Sequence, residues 1–152
     1  MKLSTFVYLI ATCTLLTACQ AEEETCREST EVNLRIGLYK AGATAVSTVD
    51  SVTVRDIDTD STFYANRKTI SRIELPLDRQ TNIARLAVRL NEDWDTLTVI
   101  YNSEAFFISY ACGMVFTHQI DTVLTTRHAV DSLKIPVKLI NTANEQHIQL
   151  YR

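Results

Sequence analysis

Residues 83–90 read Ile83-Ala84-Arg85-Leu86-Ala87-Val88-Arg89-Leu90, and this alternation indicates the fold. Every even position is apolar, whereas two of the odd positions are arginines. Successive side chains of a strand point to opposite faces, so the stretch predicts a β-strand with one buried face. The side chains expected to face the core are Ala84, Leu86, Val88 and Leu90.

The two-residue period continues in both directions along the chain. Further strands are predicted at residues 32–38, 51–57, 62–65, 71–77, 97–101, 105–116, 120–126, 130–139 and 146–151. Pro76 places its strand at a sheet edge or at a bulge, and residues 141–144 suggest a hairpin turn. Residues 105–116 are the longest apolar run of the body, so we expect a central strand buried on both faces and bent at Gly113. The chain is therefore predicted to be an all-β, antiparallel sandwich or small barrel of about eight to nine short strands.

The N-terminus has the pattern of a secretory signal. Lys2 precedes an apolar run at residues 3–16, which is too short to span a bilayer, and small residues follow it. Leu16-Thr17-Ala18-Cys19 resembles the lipobox of bacterial lipoproteins, which implies cleavage before Cys19 and acylation of that cysteine. Two or more acyl chains anchor a protein stably. We expect a lipid anchor without a membrane span; the alternative is a secreted protein with a free Cys19.

An acidic segment follows the cysteine. Gln20-Ala21-Glu22-Glu23-Glu24 resembles the export flag with which Bacteroides-type bacteria send lipoproteins to the outer face of the outer membrane. We expect outer-membrane display at the cell surface, with a solvated periplasmic tether as the alternative. The predicted division is a cleaved signal peptide at 1–18, a lipidated tether at 19–31 and one all-β domain at 32–152.

Two cysteines remain as thiols in the exported chain. Cys26 and Cys112 are expected to form a disulfide, because pairing is favoured in an oxidising compartment. The alternative is that Cys112 is a small buried apolar residue and Cys26 stays unpaired.

The formal charge is concentrated in the tether. Residues 20–31 hold five acids and one base, whereas residues 32–152 hold 13 acids and 13 bases. A body without basic excess disfavours nucleic-acid binding. The oligomeric state is left open.

Trp94 is the best candidate for a ligand contact. It lies with Asp93 and Asp95 in a predicted loop tip at residues 91–95. An aromatic ring beside carboxylates can stack on a sugar or take a cation. The alternative is that the ring covers one end of the core.

Metal and catalytic motifs are weak in this sequence. Asp56, Asp58 and Asp60 start like a calcium loop, but Ser61 and Arg67 stand where glycine and glutamate are needed. We expect a solvated turn there and no metal or cofactor. A zinc site would require the fold to bring together three histidines that are separated in sequence, which are His118, His128 and His147. The sequence contains no motif of a catalytic nucleophile.

Over nearly the whole length of its expected mature form, the chain resembles an uncharacterised family of small Bacteroides-type lipoproteins, classed as a domain of unknown function. The resemblance rests on the acylated cysteine, the acidic tether, the early Cys26, the late Cys112-Gly113 and the closing strand 148–152. It implies no activity. We expect a non-catalytic, lipid-anchored envelope domain with a binding or scaffolding role, whose ligand the sequence does not identify; the candidate partners are an envelope protein and a glycan. The alternatives are a carbohydrate-binding accessory for glycan uptake and, more weakly, a small hydrolase.

Overall fold

The computed structural model describes residues 25–152 and contains ten strands in that range. The predicted signal peptide, the lipidation site Cys19 and the first part of the tether lie outside the described residues, and the domain division stays a prediction. The strands are β1 (Asn33–Tyr39), β2 (Val49–Asp56), β3 (Thr62–Ile70), β4 (Arg72–Pro76), β5 (Ile83–Leu90), β6 (Asp93–Ser109), β7 (Gly113–Thr125), β8 (Ser132–Lys134), β9 (Leu139–Ile140) and β10 (Ile148–Tyr151). Within residues 25–152, no helix is long and apolar enough to span a membrane.

The strands form two open sheets. The four-stranded sheet has the order β4-β1-β10-β8, and the six-stranded sheet has the order β3-β2-β5-β6-β7-β9. All neighbouring strands pair antiparallel except β1 and β10, which are parallel and match Ile36 with Ile148. The predicted all-β class is confirmed, and the sandwich alternative is the correct one. The strand that ends with Pro76 is an edge strand, as the sequence predicted.

The core lies between the two sheets. It contains alternate side chains of both sheets, including the predicted Leu86, Val88 and Leu90 of β5. Ala84 is half-buried against the same cluster. Fully burying each aliphatic side chain contributes about 1.5–3 kcal/mol, so this layer supplies most of the favourable free energy of folding.

The other face of β1 is also covered. His147 directly precedes β10. Its ring Nδ1 accepts a 3.0 Å hydrogen bond from the backbone N–H of Arg35, and its backbone N–H donates to the carbonyl of Arg35 at 3.0 Å. The guanidinium of Arg35 donates to the carbonyl of Ala143 at 2.7 Å. The side-chain amide of Gln146 lies over Gly37, where a Cβ would overlap it. The segment 141–147 therefore lies across the outer face of the four-stranded sheet.

Three predicted secondary-structure elements differ from those in the structure. Residues 105–116 are not a buried central strand; they contain the turn between β6 and β7. Residues 141–144 are not a hairpin turn, because β9 and β10 belong to different sheets. The predicted strand at 130–139 is reduced to the three residues of β8 and the start of β9.

The stability of the fold should depend on pH through His147. Its ring is fully buried, its Nε2 has no hydrogen-bond partner among residues 25–152, and burial together with the charge of Arg35 lowers its pKa to about 4. An unfolded histidine has a pKa of about 6.5, so acid protonates the unfolded chain first. The contribution of neutral His147 to the free energy of unfolding is complete above about pH 6.5. It is lost as the pH falls towards 4, to a total of at most about 3 kcal/mol.

Urea unfolding between pH 7 and pH 4 measures this loss. His147→Asn keeps an acceptor for the Arg35 N–H and should remove the part of the slope that His147 contributes. An unchanged slope in His147→Asn would assign the acid loss to other groups.

Candidate functional site

The longest hairpin extends beyond the six-stranded sheet. β6 and β7 pair from Leu97–Thr125 out to Ser109–Gly113. β5 accompanies β6 only as far as Ile100, and β9 accompanies β7 only at His118 and Gln119. Residues 103–117, here called the hairpin arm, therefore form a two-stranded ribbon. Its turn ends at Gly113, whose φ of 73° suits a residue without a Cβ.

A disulfide joins the hairpin arm to the N-terminal segment. Cys26 and Cys112 are bonded, with their Cα atoms 4.7 Å apart and a sequence separation of 86. The backbone N–H of Cys112 donates to Ser109 Oγ at 3.1 Å, which fixes the turn that presents the cysteine. The predicted disulfide is confirmed, and it holds Cys26 at the outer end of the arm.

The hairpin arm carries exposed apolar side chains. Residues 105–117 contain no charged residue. Phe106, Phe107 and Met114 are 55%, 50% and 65% exposed, and Tyr110 in the turn is 97% exposed. Phe106 and Phe107 point to opposite faces because they are adjacent in one strand. Both faces of the arm are therefore apolar near its tip.

One face of the arm continues the core-facing row of the sheet. Phe107 pairs with Met114 and Ala105 pairs with Phe116, in register with the buried pair of Tyr101 and Ile120. The Phe107 ring packs edge-on against Tyr110 at a centroid distance of 5.4 Å. Arg79 lies over the ring of Phe116 at 4.9 Å. This apolar row leaves the space between the sheets and becomes exposed towards the tip.

His118 and Ser103 form the base of the arm. Ser103 Oγ and His118 Nδ1 are 2.8 Å apart, and the buried His118 ring packs edge-on against Tyr101 at 5.3 Å. Burial lowers the pKa of His118 and favours its neutral form. A serine and a histidine at this distance can act as nucleophile and base only with a third group that orients the base. Among the described residues, no carboxylate hydrogen-bonds to His118.

The side chain of Asp95 points away from the side chain of Trp94. The two residues are adjacent in β6 and point to opposite faces, and Asp95 is only 3% exposed. Its carboxylate accepts hydrogen bonds of 2.7–2.9 Å from Thr126 Oγ1 and from three successive backbone N–H groups, which belong to His128, Ala129 and Val130. Asp95 therefore holds the loop after β7 onto the start of β6.

The charge of Asp95 is maintained in this setting. Burial alone would raise the pKa of its carboxyl, but the hydrogen bonds from Thr126 and from the three backbone N–H groups outweigh burial and lower the pKa. Four donors at short distance are typical of a carboxylate that stabilises a loop.

Trp94 lies on the outer face of the six-stranded sheet. Its side chain is 44% exposed, and its cross-strand partner is Arg89, whose guanidinium lies 5.5 Å from the ring centroid. Arg89 also donates to Thr53 Oγ1 at 3.2 Å, which fixes the cation over the ring. Asp93 is exposed at the strand end. Trp94 therefore points away from Asp93 and Asp95, which alternate with it along β6, and the three side chains do not form one contact site.

The remaining polar candidates are separated in the fold. Asp58 is bonded to Arg85, Asp60 lies 3.5 Å from Arg55, and Asp56 accepts two backbone N–H groups of its own turn. The histidines lie at the base of the arm, in the loop after β7 and beside β1. The described chain contains no group of three His, Cys, Asp or Glu residues that could hold a metal ion.

Sequence reasoning missed the hairpin arm as a surface. The signal was present in the uncharged run at residues 105–117 and in the cysteine and Gly113 at its centre. A buried strand and an exposed apolar hairpin have the same composition, so only the pairing partners distinguish them.

The sequence profile of one protein family matches this chain. It is described as a family of unknown function (DUF6452), and the match covers residues 51–152, from within β2 to the end of β10. No curated protein and no solved structure matches the chain significantly.

Replacing Asp95 should test its structural role. Asp95→Asn removes the charge and turns an amide group towards backbone donors, so at least one N–H is left without an acceptor. We expect the free energy of unfolding to fall by about 2–4 kcal/mol, measured by urea titration. The matched control Asp93→Asn changes an exposed neighbour and should stay within about 0.5 kcal/mol of wild type. Equal effects of the two variants would contradict this role.

Proposed function

The chain belongs to the DUF6452 family, whose function is unknown, and from its own residues we propose that it is a non-catalytic, lipid-anchored domain of the bacterial cell envelope that binds or scaffolds an envelope partner. Its anchor would be the acylated Cys19. The acidic residues that follow favour display on the outer face of the outer membrane, as in the small Bacteroides-type lipoproteins that the chain resembles.

The observation that carries this proposal is the Cys26–Cys112 disulfide. A disulfide between a terminal segment and a folded body is typical of exported proteins, because the cytosol keeps thiols reduced. The bond supports export independently of the signal-like N-terminus. It also joins the domain to a point only seven residues after Cys19, which suits a domain held close to its anchor.

The surface supports binding better than catalysis. The exposed features are an apolar arm and a tryptophan beside a fixed arginine, and both are contact groups rather than reacting groups. The Ser103–His118 pair lacks an orienting carboxylate within the described chain, and the buried acid Asp95 is already saturated with hydrogen bonds.

The anchor can be tested with two cysteine variants. Cys19→Ala should move the protein from the membrane pellet to the soluble or uncleaved fraction, because acylation and processing need the thiol. Cys13→Ala changes a cysteine of the same signal region that is removed on cleavage, and it should leave the protein in the pellet as a processed form. Immunoblots of fractionated cells and the mass of the mature N-terminus read the outcome. A processed, pelleted Cys19→Ala protein would refute lipid anchoring.

A second candidate function is glycan binding, and the exposure of Trp94 favours it. Its ring lies on a flat sheet face and is oriented by Arg89, which suits stacking on a sugar ring. A glycan present at 100 times its dissociation constant should stabilise the protein by about 2.7 kcal/mol. Thermal-shift screening of a glycan panel should show a shift that Trp94→Ala abolishes, whereas Leu124→Ala, at another exposed apolar residue, retains it. A panel without any shift would remove this candidate.

A further inference from the structure

We propose that the tip of the hairpin arm is a lipid-binding site, in which Phe106, Phe107, Tyr110 and Met114 insert into the membrane interface beside the acylated Cys19. The inference rests on the lipid anchor of the proposed function. It adds an orientation, because the domain would lie on the membrane through this arm instead of moving freely on its tether.

The length of the tether is the first argument. Cys26 is bonded to Cys112 in the arm, and Cys19 precedes Cys26 by seven residues. A fully extended chain covers about 3.3–3.6 Å per residue, so Cys26 lies within about 25 Å of the acylated cysteine, and the disulfide adds 4.7 Å between the Cα atoms of Cys26 and Cys112. Trp94, at the other end of β6, lies sixteen residues from Tyr110, or roughly 50 Å along an extended strand. The disulfide thus selects the arm as the part of the body nearest to the lipid.

The composition of the tip is the second argument. Residues 105–117 are uncharged, and Glu104, which pairs with Thr117, is the first charged residue met on leaving the tip along β6. Exposed phenylalanine, tyrosine and methionine side chains without charges suit the apolar side of a membrane interface, where the tyrosine hydroxyl can stay hydrated. An exposed patch of this kind marks an interaction site.

The backbone limits the depth of insertion. Beyond Ile100 and His118 the outer edges of β6 and β7 have no neighbouring strand among residues 25–152. Unpaired N–H and C=O groups are costly in hydrocarbon but are hydrated among headgroups. The arm therefore enters the interface from its tip to about Glu104, and it does not cross the bilayer.

Charge excludes an electrostatic mode of binding. The tether beside the tip carries Glu22, Glu23 and Glu24, which anionic headgroups would repel. Insertion must therefore come from apolar burial, and added salt should not weaken it.

Fluorescence quenching by lipids tests the site. The full-length lipidated protein is reconstituted into phosphatidylcholine vesicles with brominated acyl chains, and flotation of the vesicles is measured first. Tyr110→Trp combined with Trp94→Phe places the only indole at the tip, whereas the wild type places it at Trp94. We expect emission from the tip to be quenched several-fold more than emission from Trp94, equally at low and high salt.

Two further variants control for the quenching. In the Tyr110→Trp, Trp94→Phe background, Phe107→Ser with Met114→Ser should lower the ratio of inserted to free arm about tenfold or more for each side chain removed. Leu124→Ser removes an equally exposed residue of β7 outside the arm and should leave the quenching unchanged.

The outcomes separate the two proposals. Protein that does not float with vesicles refutes the anchor and, with it, this inference. Protein that floats without quenching at the tip keeps the anchor and overturns the lipid-binding arm. A photocrosslinker at Tyr110 that then captures a protein in cells would assign the arm to a protein partner. Equal quenching of both indoles, or quenching lost at high salt, also overturns the inference.

Discussion

The parallel pairing of β1 with β10 is the contact on which the rest of the sandwich depends. These two strands are the centre of the four-stranded sheet, and within that sheet β4 pairs with β1 and β8 pairs with β10. Their register is fixed by His147, which bonds both the N–H and the carbonyl of Arg35 across 112 residues of sequence. Contacts of such separation form slowly, because a long loop must close before they are made. The domain is therefore complete only after its last strand has joined the first.

Local pattern predicted the strands and their buried faces, but it did not predict their partners. The alternation at residues 83–90 identified both the strand and its inward side chains, since the period of two is a property of the backbone. Residues 105–116 show the limit. Apolar composition predicts that a segment avoids water, but it does not predict which part of the protein, or which other molecule, covers the segment. The pairing of Phe107 with Met114 required knowledge of the turn between them.

The candidate site shows the same division between local and long-range information. Adjacency suggested that Asp93, Trp94 and Asp95 act together, yet an extended strand separates neighbouring side chains, and Asp95 points inward. The strand period could have indicated this separation if residues 91–95 had been assigned to a strand instead of a loop. The partners of Asp95, in contrast, lie more than thirty residues away and follow only from the fold. The disulfide was predicted because it needed only a count of thiols and a compartment.

The Cys26–Cys112 bond also changes what proteolysis can do to the molecule. The loops between β1 and β2, β2 and β3, β4 and β5, and β5 and β6 all lie between the two cysteines. A single cut in any of them leaves two fragments that remain covalently joined, with β6 through β10 still linked to the N-terminal segment. One cleavage releases the whole body only if it falls before Cys26. A nick in any of these loops therefore leaves the body connected to the segment upstream of Cys26.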